Sequence, residues 1–138
     1  MTVDMSGATL QTLRESLHIT REDLAAAVGV QARTIKHWEH ARARVPDDVA
    51  DTVRSWCAHT AMITAAALAK AEAAAAAGAP LVLARYRYAG DLLTCRPDWP
   101  EELPVACHGA AIARVLNQHP GAEIRWYEPE NSDASAIP

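Results

Sequence analysis

The stretch TREDLAAAVGVQARTIKHWEHARARVP, residues 20–46, decides how the rest of the chain is read. Thr20 followed by Asp23 is an N-terminal helix signature, with the threonine as N-cap and the aspartate at N3, where glutamate or glutamine is more usual. The helix it opens, Arg21 to Val28, turns Leu24, Ala25 and Val28 inward, and Gly29 ends it as a left-handed C′ residue does. Val30 packs inward, and Gln31 to His40 forms a second helix with Ile35 and Trp38 on one face. Two short helices joined by a tight glycine turn make a helix-turn-helix. The same stretch concentrates positive charge: Arg33, Lys36, Arg42 and Arg44 stand against Glu39 within residues 31–44. His37 and His40 lie in that window and His18 lies nearby, adding hydrogen-bond donors and acceptors.

Upstream, Leu10, Leu13, Leu17 and Ile19 recur at helical spacing from Gly7 to His18, with Ser6 or Thr9 near the start. Taken together, roughly residues 7–58 resemble the Cro/C1-type (XRE) helix-turn-helix regulators. The features that carry the likeness are the small Ala25, the Gly29 turn, the apolar Leu24, Val28, Val30 and Ile35, and the Trp38-Glu39 pair. The resemblance implies that Arg14, in the first helix, pairs with Glu39. It also implies that the outward face of the Gln31–His40 helix enters a DNA major groove. Arg33 and His37 are then the base-reading residues, with Ala32 against a thymine methyl. An arginine forking onto guanine is the commonest specific contact. Gln31 and Lys36 are assigned to phosphate or the groove wall, and Arg42 and Arg44 to the DNA backbone. Arg21, where the family often has Gln, is assigned to a phosphate shared with a helix N-terminus. Where the family often has Asn-Gly after Trp-Glu, this chain has His40-Ala41.

Downstream, Pro46 is expected at helix position N1 with Asp47 and Asp48 in the first turn, where the helix dipole favours anions. Val49, Val53, Trp56, Thr60 and Ile63 follow at steps of four and three. The helix has no breaker before Gly78-Ala79-Pro80, so a rod of about 48 Å is expected over 46–77. Its second half holds 12 alanines among residues 61–79. Leu81 to Tyr88 then reads as a strand, Asp98 to Pro104 as loop, Pro104 to Gln118 as an amphipathic helix weakened by Gly109, and Ala122 to Tyr127 as a second strand. The fold class expected is mainly α with a small α+β C-terminal part. It divides into a helix-turn-helix domain (1–60), an alanine-rich helical extension (61–80), a small α/β dimerisation domain (81–128) and a disordered tail (129–138). Two strands and one helix make a marginal sheet that gains by pairing with a second copy. This organisation is more weakly similar to phage and prophage repressors, anti-CRISPR-associated ones included.

Composition narrows the alternatives. The 138 residues include 30 alanines, no phenylalanine and only seven Trp plus Tyr, so the core is small and helices dominate. The formal charge of −4 excludes a chain basic throughout. No apolar run is long enough to span a membrane and no secretory leader is recognisable. Cys57, Cys95 and Cys107, an odd number at wide spacings, suit reduced thiols in a cytoplasm. His37 and His40, or Cys107 and His108, fall short of a metal motif, and neither a phosphate loop nor a catalytic pairing appears, so no metal, no cofactor and no enzyme is expected. The partners expected are double-stranded DNA and a second copy of the chain, without a membrane. Two rivals remain: a protein-interaction module such as an antitoxin, and RNA contact through Arg85, Tyr86, Arg87, Tyr88, Arg125, Trp126 and Tyr127.

Overall fold

In the computed structural model, which describes residues 4–129, Ser6 caps helix α1 (Gly7–Ser16) by accepting the Thr9 amide at 3.0 Å. Helix α2 (Arg21–Val28) opens on a complete capping box: Thr20 Oγ1 accepts the Asp23 amide, and Asp23 Oδ2 accepts the Thr20 amide, both at 3.1 Å. Gly29 closes it at φ 77°, and the Val30 amide reaches back to the Ala25 carbonyl at 3.0 Å. Helix α3 spans Ala32–Glu39, with Gln31 at the N-cap rather than inside the helix. Helix α4 spans Asp47–Ala76. Pro46 therefore stands one place outside the expected N1 position, its carbonyl already accepting the Ala50 amide at 3.0 Å. Gly78, at φ 65°, ends the run.

The chain divides between His59 and Thr60 into two compact units. In the first, Leu10, Leu17, Ile19, Leu24 and Ile35 are at most 2% exposed, and Trp38, Val49, Val53 and Trp56 are buried as well. Val28 and Val30, expected inside, are only half-buried.

The second unit holds strand β1 (Val82–Arg85), helices α5 (Ala89–Cys95) and α6 (Val105–Gln118), and strand β2 (Glu123–Trp126). The strands pair in parallel, Leu83 against Ile124 and Arg85 against Trp126. A parallel pair needs a long crossover, and α5 and α6 supply it. Ala67 and Ala71 of α4 form its core with Leu83, Ile112 and Val115. Ala67 and Ala71 are at most 1% exposed, so part of the alanine-rich stretch is core rather than solvated spacer. One expectation is corrected here. The strand expected over 81–88 stops at Arg85, because Tyr86 turns inward against His108, ring centroids 5.1 Å apart. Residues 89–95, to which the sequence reading assigned no element, form α5 around the fully buried Leu92. Apart from Pro129, the tail expected over 129–138 lies outside the described residues.

Candidate nucleic-acid interface

Helix α3 has two chemically opposite sides. Ile35, Trp38 and Glu39 are buried, whereas Arg33, Lys36, His37 and His40 are exposed. Residues three and four apart share a helix face, so 33, 36, 37 and 40 form one stripe in which Arg33 and Lys36 are the fixed cations. Gln31 at the N-cap is exposed and Ala32 half-buried. Arg42 and Arg44 are exposed on the loop that follows, where they line a shallow hollow with Met5 and Gly7.

Glu39 anchors this helix from inside. Arg14 grips it with a fork, Nε to Oε2 at 2.7 Å and Nη2 to Oε1 at 3.2 Å, and donates Nη1 to the Ile19 carbonyl at 3.0 Å. One side chain thereby ties α1, the α1–α2 turn and the end of α3 together. Burial pushes the Glu39 carboxyl upward, but the hydrogen bonds from Arg14 and Arg21 outweigh it and hold the group below the usual carboxylate range. The Arg21 bond, Nε to Glu39 Oε1 at 2.8 Å, links residues 18 apart in sequence and was not anticipated. No local spacing signals it, since the α1–α2–α3 packing alone brings these groups together.

Two surroundings differ from what the sequence suggested. The first turn of α2 already holds Glu22 and Asp23, and its Asp23 amide is taken by Thr20, so that helix end offers an anion little beyond the Arg21 guanidinium. Arg44 donates to Asp4 at 2.8 Å and to Asp47 at 3.1 Å. Exposed pairs of this kind are worth little and exchange readily for another anion.

Close packing holds α1 against α3. A Cβ on Gly7 would run into the Trp38 carbonyl oxygen and lie 2.5 Å from that of Glu39. The Asn-Gly departure also has a visible consequence. Ala41 takes the left-handed place at φ 59°, and the Arg42 amide closes back on the His37 carbonyl at 2.9 Å. The turn keeps the shape a glycine would take, at a cost of about 1–2 kcal/mol for a side chain in that region.

A family model described as Aca2/YdiL-like matches residues 5–98, which takes in α1 through α5 and β1. The chain belongs to the Aca2/YdiL-like family. This is a helix-turn-helix regulator family, and in this member the match ends before α6 and β2. No curated protein matches the chain.

In the second unit, the Aca2/YdiL-like chain layers two arginines on an indole. The Arg87 and Arg85 guanidinium carbons lie 4.5 and 5.1 Å from the Trp126 ring centre. Gly109 explains how Arg85 fits, since a Cβ there would stand 3.2 Å from Arg85 Nε. Trp126 is 46% and Tyr88 67% exposed, but Tyr86 is only 5% exposed and cannot present its ring to a base. Among the described residues no group of three His, Cys, Asp or Glu is placed to hold a metal, and no helix is long and apolar enough to cross a membrane.

Proposed function

We propose that this chain is a sequence-specific, double-stranded DNA-binding transcriptional regulator that acts as a homodimeric repressor. The observation that supports this most directly is the exposed stripe of Arg33, Lys36, His37 and His40 on a helix anchored from behind by Glu39. Arg33 and His37 read base edges, with Ala32 beside a thymine methyl; Gln31, Lys36, Arg42, Arg44 and Arg21 meet the backbone. Two copies read an inverted repeat with half-sites roughly 34 Å apart, and occupying a promoter represses it. Binding weakens steeply with salt, because the cations displace condensed counterions.

Duplexes selected from a random pool supply the operator for the test. Arg33→Ala relaxes base preference and costs about 1–3 kcal/mol, whereas Arg44→Ala weakens all sequences alike and flattens the salt slope. Small, equal effects from both contradict the assignment.

The layered Arg85, Arg87 and Trp126 support a second reading, in which the C-terminal half adds contact with single-stranded RNA. On that reading Trp126→Ala lowers RNA affinity and spares duplex binding, while Arg33→Ala does the reverse.

A further inference from the structure

We infer that Glu39 is a positioning residue for DNA binding: it holds Arg21 by Nε and so presents the guanidinium's terminal amino groups to a backbone phosphate. The inference rests on the DNA-binding reading and adds to it a division of labour among three charged side chains.

The geometry separates the two arginines. Arg14 uses Nε, Nη1 and Nη2 on Glu39 and the Ile19 carbonyl, and its side chain is 10% exposed. Arg21 touches the same carboxylate through Nε at 2.8 Å, while its side chain is 29% exposed. Among the described residues its terminal amino groups have no protein acceptor. A guanidinium held at Nε keeps a planar pair of donors free, the arrangement that suits a phosphate's two oxygens. The Glu39 side chain is fully buried and saturated by two cations, so it does not itself meet the phosphate and acts only through Arg21. The three groups carry a formal charge of +1, which keeps the assembly attractive to an anion.

This account opposes a simple electrostatic one. Glu39→Gln removes a negative charge, so long-range attraction alone predicts tighter duplex binding. Positioning predicts looser binding, because the Arg21 side chain then regains its rotamer freedom.

The test measures affinity and salt slope on a duplex recovered by random-pool selection, with thermal melting to show that each variant is folded. Arg21→Lys keeps the charge and loses the fork. It is expected to bind about tenfold more weakly than the wild type, nearly as weakly as Arg21→Met. Glu39→Gln is expected to weaken binding in the wild-type background and to have no further effect beside Arg21→Met. Wild-type affinity in Arg21→Lys overturns the inference. An equal loss from Glu39→Gln in both backgrounds also overturns it, since a purely structural role behaves that way. Should Glu39→Gln not fold, Arg21→Lys decides alone. Failure of the wild type to bind any duplex overturns the parent reading, whereas Arg33-dependent binding with an indifferent Arg21 overturns this inference only.

Discussion

Gly7 and Glu39 constrain the N-terminal unit, each for a different physical reason. At Gly7 the neighbours of an added methyl are main-chain carbonyls, which cannot rotate away as a side chain would. Gly7→Ala is therefore expected to cost about 1–3 kcal/mol in thermal or urea unfolding. Gly90→Ala, with open space around the new methyl, should be neutral or mildly stabilising. At Glu39 the folded carboxyl titrates below its unfolded value, so its stabilisation is complete above the ordinary carboxylate range. That stabilisation is lost as pH falls through the lowered folded value. Urea midpoints followed downward from neutral pH should decline once the pH falls below the ordinary carboxylate range, and Glu39→Gln should flatten that decline. Matching pH profiles in the two proteins would show that another group drives the acid loss.

At the scale of elements, the helix ends carry predictions of opposite sign. Thr20→Ala removes the acceptor for the Asp23 amide and should cost about 1 kcal/mol. Ala41→Gly relieves the left-handed strain after α3 and should stabilise by about 1 kcal/mol. Both shifts are readable as changes in melting temperature. A destabilised Ala41→Gly would mean that the flexible unfolded chain outweighs the relief. The same turn sets where Arg42 leaves α3, so its geometry bears on the proposed backbone contact as well as on stability.

At the scale of the molecule, the second unit joins a two-stranded parallel sheet to α6 and the C-terminal half of α4. Two strands alone are marginal, and a second copy would complete such a sheet. Sedimentation at increasing concentration should therefore reveal a dimer. Leu83→Ala, which empties the centre of this core at about 2–5 kcal/mol, should shift it toward monomer. Arg33→Ala should leave the assembly unchanged. A wild-type monomer at all concentrations would remove homodimerisation from the proposal.

Much of this fold was legible because its determinants are local. Thr20 with Asp23, Gly29, Gly78 and the spacing of Leu10, Leu24, Ile35 and Trp38 act over one or two helical turns, and the helices stand close to where those signals put them. The exposed side of α3 was readable for the same reason, being the complement of its apolar stripe. Other features depend on residues distant in sequence. Tyr86 leaves its strand because His108 offers a buried ring, α5 forms around Leu92 despite Gly90, and Arg85 lies over Gly109 beside Trp126. The Arg21–Glu39 contact belongs with these, since it requires the assembled bundle. Sequence alone thus determined the helices other than α5, the Thr20 capping box and the exposed basic side of α3, because short-range hydrogen bonding and periodicity specify them. Only tertiary structure decided which charges share a carboxylate and which aromatics reach solvent, because those outcomes depend on what packing leaves beside each group.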